Sequence, residues 1–149
     1  YTPGWKFSEW ELRGVPLRLE IGPKDIEKHQ VMLVRRDTRE KIPVPIDGLA
    51  GRVKDMLDTI QQNLFDRALA FQKDHTTHTA SYDEFTQTMA GRPGFIVSPW
   101  CGSDACEAAI KNDTQATLRN MPIEGVSSGA PCIKCGQPSV TDAWFAKSY

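Results

Sequence analysis

Val15-Pro16-Leu17-Arg18-Leu19-Glu20-Ile21 sets apolar residues at alternate positions, with Arg18 and Glu20 between them. That is the period of a strand with one buried face. Gly22-Pro23 stops it. Gln30 to Arg36 follows as a second strand, in which Val31-Met32-Leu33-Val34 is continuous enough to be buried on both sides. Arg36-Asp37-Thr38-Arg39 reads as a tight turn, with Asp37 bonding its own backbone, and leads into a short strand from Lys41 to Val44. From about Asp47, placed to cap a helix, the period changes: Leu49, Val53, Leu57, Ile60, Leu64, Ala68 and Phe71 recur every three or four residues. One long amphipathic helix ending near His75 is expected.

Further along, Tyr82 to Met89 predicts a shorter helix, ended by Gly91-Arg92-Pro93-Gly94 before the strand-like Phe95-Ile96-Val97. Ala105 to Lys111 predicts a short helix and Val140 to Ala146 a closing strand. The boundary between domains falls around residues 75 to 81, giving domains of 1–77 and 78–149 in an α+β or α/β fold. A chain of 149 residues, 40% hydrophobic and 25% charged, can bury a core. Its formal charge of −1 excludes a basic, sequence-indifferent nucleic-acid binder, so any RNA contact is local. The first 47 residues carry nine Lys/Arg against eight Asp/Glu, with Arg35, Arg36, Arg39 and Lys41 crowded around Asp37 and Glu40. No apolar run approaches the roughly 20 residues of a spanning helix, and the N-terminus lacks a signal-peptide pattern, so no membrane partner and a cytoplasmic location are expected. A start at Tyr1 reads as a piece of something longer.

All four cysteines lie in the second half, as Cys101-x4-Cys106 and Cys132-x2-Cys135 with 25 residues between the pairs. The two-residue spacer followed by Gly136 is the turn that brackets a metal, and four sulfurs close a tetrahedral shell around Zn2+ with no position left for a catalytic water. The role is then structural. Disulfides need an oxidising compartment that nothing here suggests, and a redox pair at Cys132 and Cys135 lacks the strand-to-helix setting of such sites. His75 and His78 read as solvated helix-end residues.

The stretch Thr2-Pro3-Gly4-Trp5-Lys6-Phe7-Ser8-Glu9-Trp10-Glu11-Leu12-Arg13-Gly14-Val15-Pro16-Leu17-Arg18-Leu19-Glu20-Ile21-Gly22-Pro23-Lys24-Asp25 closely resembles the anticodon-binding domain of prolyl-tRNA synthetases. So does Val34-Arg35-Arg36-Asp37-Thr38. The resemblance continues through Ile60-Gln61-Gln62-Asn63-Leu64-Phe65-Asp66-Arg67-Ala68, the cysteine spacing and the ending Trp144-Phe145-Ala146-Lys147-Ser148-Tyr149. The ending and the cysteines are similar to the archaeal and eukaryotic-type branch, which carries a C-terminal zinc domain and lacks an inserted editing domain. The resemblance implies a mixed-sheet anticodon-binding domain of class II synthetases, here without its first strands and so with an open sheet edge, followed by a small α/β zinc-binding domain. It implies that ATP, Mg2+ and proline are handled by a catalytic domain absent from this chain, through which the parent forms a homodimer, and that this chain alone is non-catalytic.

Proline anticodons share two guanines, whose exposed edges suit a carboxylate and an arginine placed close together. Glu11, Arg18 and Asp25 supply that set and match the family's positions for anticodon recognition; Lys6, Phe7 and Lys41 add phosphate contacts and stacking. Other readings stand beside these: Arg18 and Glu20 as plain outward strand residues, Asp25 as the cap of a helical turn from Ile26 to Lys28. Trp5 and Trp10 read as packing residues. Tyr149 resembles the family's terminal tyrosine, which folds toward the catalytic domain. Two further functions compete with tRNA recognition: a stand-alone zinc-stabilised module that binds RNA or protein, and a redox protein.

Overall fold

In the computed structural model, which describes residues 1–91 and 94–148, the chain divides into two units, Tyr1–Ala70 and Phe71–Tyr149. The first begins with a helix absent from the sequence expectations, α1 (Pro3–Leu12). Its signal is nonetheless local: Thr2 accepts from the Trp5 N–H at 3.4 Å and Pro3 occupies the first turn, where a missing N–H is harmless. Then come β1 (Leu17–Glu20), the short α2 (Pro23–Glu27), β2 (Gln30–Arg35) and β3 (Lys41–Pro45). The sheet order is β1-β2-β3, all antiparallel, with Arg18 opposite Val34 and Leu33 opposite Ile42. Two prolines fit in β3 because it is an edge strand.

Val31, Leu33 and Val44 form the buried centre of this unit, and Leu17, Ile42, Ile46, Leu49 and Val53 pack against it. The apolar face expected for β1 is not closed: Leu19 is 47% and Ile21 58% exposed. As the outer strand, β1 has no neighbour among the described residues on its far side. Asp47 does not cap the long helix, α3 (Leu49–Asp74); the Arg52 N–H bonds the Gly48 carbonyl, and the Asp47 carboxylate lies 3.4 Å from His29 Nε2 instead. Of the expected stripe, Leu49, Val53 and Ile60 are covered, whereas Leu57, Leu64 and Phe71 are exposed. The reason is length. A helix of 26 residues runs about 39 Å, and strands of four to six residues span only about 13–20 Å.

The second unit contains β4 (Thr76–His78), α4 (Tyr82–Ala90), β5 (Phe95–Trp100), α5 (Asp104–Thr114), β6 (Ala116–Asn120) and β7 (Thr141–Lys147). Strand β4 therefore lies across the expected boundary at 77/78. The sheet is mixed, in the order β4-β5-β7-β6: β4 runs parallel to β5 and the other pairs are antiparallel. The expected closing strand is thus an interior one, and β6 has no counterpart among the sequence expectations. Ser81 caps α4, accepting from the Glu84 N–H; of the turn that follows, Arg92 and Pro93 lie outside the described residues. Phe85 and Met89 of α4 and Ile110 of α5 meet Ile96, Ala143 and Phe145 of the sheet in one core, with Phe85 and Phe145 edge to face at 5.5 Å. The whole is an α/β fold with a mixed sheet and a long helix.

Candidate nucleic-acid interface and metal centre

Lys6, Phe7, Trp10 and Glu11 share one side of α1, since the pairs 6/10, 7/10 and 7/11 are three or four residues apart. With Arg18 of β1 and Arg36 of the turn after β2 they line a cavity of about 300 Å³. Glu11 is its polar centre. Arg18 Nη1 donates to Glu11 Oε1 at 2.7 Å, Arg39 pairs with Glu11 Oε2, and Arg36 Nη1 donates to the Glu11 carbonyl at 3.3 Å. The Arg39 and Arg18 guanidinium groups hold the Glu11 carboxyl below its ordinary value. Arg18 also donates from Nε to Glu20 Oε1 at 2.9 Å, and Lys41 Nζ stands 3.4 Å from Glu20 Oε2. Its guanidinium lies 3.9 Å from the centre of the Phe7 ring, a cation–π contact. Four cations around two carboxylates leave this face positive.

Of the six residues expected to contact RNA, Lys6, Phe7, Glu11 and Arg18 thus come together, and Lys41 joins them through Glu20. Asp25 does not line the cavity. It closes the cap of α2, accepting from the Gly22 N–H at 3.0 Å, and receives Gln30 Nε2 at 3.3 Å. Trp5 and Trp10 are not packed away, being 47% and 54% exposed. Trp5 stacks on Tyr1 with centroids 4.0 Å apart, and Trp10 faces the cavity. Glu20, Arg36 and Arg39 are the members outside those six residues, the two arginines entering the sequence reading only as part of a charged cluster that reads equally as a solvated turn or a phosphate contact. The charge crowding at Arg35–Lys41 was a signal, but the pairing depends on strand register.

The turn behind this face has its own centre. Asp37, its side chain wholly buried, accepts from Arg35 Nε at 3.0 Å, Arg35 Nη2 at 2.7 Å and Asn63 Nδ2 of α3 at 2.6 Å. Those donors, Arg35 first, lower the Asp37 carboxyl to about 2 against the opposing effect of burial.

In the second unit Cys101 follows β5, Cys106 sits in the first turn of α5, and Cys132 and Cys135 belong to a loop before β7. The four Sγ atoms lie within 4.8 Å of one another; Cys101 is 3.6 Å from Cys106 and 3.7 Å from Cys135. A tetrahedron of sulfurs with metal–sulfur bonds of about 2.3 Å has edges of about 3.8 Å, so these separations suit a bound ion. All four are free thiols. The loop is shaped by backbone bonds: Gly136, at φ +72°, donates to the Cys132 carbonyl at 2.9 Å, and Ile133 donates to the Pro99 carbonyl at 2.9 Å. Burial pushes the Cys106 thiol up to about 12 and raises Cys101. Burial also opposes ionisation of Cys132, but the N–H groups of Cys135, Lys134 and Cys101 outweigh it and bring that thiol to about 7. Lys134 Nζ and the Tyr82 hydroxyl both donate to Asp113 Oδ2 at 2.6 Å, tying the loop to α4 and α5. The histidines stay out of the cluster. His75 Nδ1 lies 2.8 Å from the Phe71 carbonyl, and His78 is on β4 rather than at a helix end. The reading of Tyr149 lies outside the described residues; before it, Arg119 donates to Ser148 Oγ at 2.8 Å.

Residues 82–149 match the family model of the prolyl-tRNA synthetase C-terminal domain, and residues 1–56 that of an anticodon-binding domain. The chain is 50% identical over 148 residues to a proline–tRNA ligase of Lachnospira eligens, which covers 99% of this chain and 31% of the relative. It is 46% identical over 149 residues to proline–tRNA ligase 2 of Clostridioides difficile, covering 100% of this chain and 31% of the relative. A proline–tRNA ligase of Natranaerobius thermophilus is 46% identical over 151 residues, again 31% of its own length. The chain thus spans about a third of the length of the curated relatives it matches. Two domain matches in sequence and alignments from one end to the other leave one conclusion: the chain belongs to the prolyl-tRNA synthetase family, whose anticodon-binding and C-terminal domains it carries.

Proposed function

We propose that this chain recognises the anticodon loop of proline tRNA and forms the tRNA-selecting part of a proline–tRNA ligase. The observation that carries the reading is the convergence of Lys6, Phe7, Glu11 and Arg18 on one cation-rimmed cavity of about 300 Å³. Guanine's pairing edge presents N–H groups that the ionised Glu11 accepts, while Arg18 suits O6 or N7. Phe7 offers an aromatic surface for stacking, and Lys6 and Lys41 meet phosphates. Asp25 is the second carboxylate of the set: a carboxylate has about four acceptor sites, so its cap bonds leave room for a base N–H. Cys101, Cys106, Cys132 and Cys135 hold Zn2+ in a closed shell that supports the fold and performs no chemistry. Activation of proline with ATP and Mg2+ belongs to a catalytic domain that is this chain's protein partner and the seat of a homodimer. The ligase works in the cytoplasm, and this chain alone is non-catalytic.

Fluorescence anisotropy with an RNA hairpin bearing the proline anticodon tests the reading against the same hairpin with both guanines changed to adenine. One bidentate base contact contributes about 1–3 kcal/mol of discrimination, roughly fivefold to 150-fold in affinity. Equal binding of the two hairpins at fixed salt overturns it.

A further inference from the structure

The turn between β2 and β3 is held more firmly than a surface turn needs. The Asp37 carboxylate is wholly buried and receives three side-chain N–H bonds, two from Arg35 and one from Asn63 of α3. Arg67 of the same helix stands 3.5 Å from the Asp37 carbonyl. Two residues on, Arg39 has a φ of +65°, the left-handed region that residues other than glycine avoid. Such a conformation persists where surrounding bonds over-determine it, and it is commonest at functional sites. Here it goes with reach. Arg39 pairs with one oxygen of Glu11 while Arg18 takes the other, and Arg36 from the same turn donates to the Glu11 carbonyl. Glu11 is therefore gripped by two arms of a turn whose own anchor lies out of solvent.

We propose that Asp37 is a positioning residue for RNA recognition: by locking the β2–β3 turn it makes Arg36 and Arg39 hold Glu11 in the orientation that meets the anticodon. The inference rests on the RNA reading above. Asp37 itself touches no RNA. Its effect is preorganisation, since three long polar side chains that are already ordered lose less freedom on binding. Removing that order weakens binding by about tenfold.

The test uses the natural full-length protein, the two hairpins described above, and the variants Asp37→Asn, Asn63→Ala and Arg39→Ala. Asp37→Asn is expected to raise the Kd for the guanine hairpin about tenfold and to shrink the preference over the adenine hairpin, with the number of binding sites unchanged. In an Arg39→Ala background the same substitution is expected to do less than it does in the wild type, because only the Arg36 contact to Glu11 is left for the turn to hold. A merely structural role lowers the number of competent sites and leaves Kd and preference alone. Kd and preference within about twofold of wild type overturn the proposal, as do effects of Asp37→Asn and Arg39→Ala that multiply. Should Asp37→Asn not fold, Asn63→Ala decides by the same criteria with an expected threefold effect, because it removes one anchor without stranding a charge. A wild-type protein that does not prefer the guanine hairpin refutes the RNA reading and this inference with it, and that result is seen before any variant is made.

Discussion

With Zn2+ held by the four cysteines as proposed, its removal is expected to unfold the second unit. A unit of roughly 80 residues, at about 0.05–0.15 kcal/mol per residue, has a net stability of about 4–12 kcal/mol. A structural zinc ion contributes about 10–16 kcal/mol of apparent binding free energy, which is folding free energy when the unfolded chain holds no preformed site. Even the favourable extreme leaves about 2 kcal/mol without the ion. The geometry places this loss in the core, because Cys106 and Cys132 are buried beside Trp100, Ile110 and Ile133. Trp100 is 6% exposed and reports the change, whereas Trp5 and Trp10 already face solvent. Stepwise chelation should shift tryptophan emission to the red in proportion to released zinc, about one ion per chain. All four thiols should become reactive together. If the ion is stripped to below about a tenth per chain while emission and thermal midpoint stay unchanged, the metal does not hold this fold.

Acid should weaken the first unit through Asp37. Its carboxyl is lowered to about 2 from 3.8, so its contribution is fully present above the unfolded value and is lost as pH falls through about 4 toward 2. At about 1.4 kcal/mol per unit the full loss is about 2.5 kcal/mol, of which about 1.6 kcal/mol is gone by pH 2.5. Urea unfolding at pH 5 and pH 2.5 should show wild type losing that much more than Asp37→Asn, which itself starts about 3 kcal/mol lower at neutral pH because Arg35 is left buried and unpaired. Equal losses in the two proteins refute the assignment. Gly94→Ala should destabilise the second unit by about 1–3 kcal/mol, since the added Cβ would lie 2.5 Å from the His75 carbonyl oxygen that the Phe95 N–H needs. The control Gly51→Ala, within α3 and with nothing inside 4 Å, should stabilise by about 0.5–1 kcal/mol; denaturation midpoints distinguish the two.

Much of this organisation was legible along the chain. The period-two run at Leu17, the apolar run of β2 and the three-to-four period of α3 each gave an element in the right place, because hydrophobic spacing is a local property. The α1 helix does not show in the hydrophobic spacing, since its tryptophans and charges have little periodicity, although Thr2 and Pro3 mark its start. Strand β6, with only Ala116 fully buried, offers almost no pattern.

The sequence by itself determined which residue types are at hand: two cysteine pairs at metal-ligand spacing, and carboxylates and arginines in the anticodon-binding stretch, are facts of residue type and separation. Tertiary structure decided which of them meet. Glu11 and Arg18 stand seven residues apart and Arg39 twenty-eight from Glu11, and only the register of β1 on β2 brings the three together. Asp37 reads in sequence as an ordinary turn aspartate; its burial beneath Asn63 comes from the packing of α3 on the turn. β7 became an interior strand because β6 and β5 flank it, a pairing across long separations that no local pattern encodes. Residue spacing is inherited along the chain, whereas convergence of charges depends on loop closure and register, and those are settled only when the whole sheet forms.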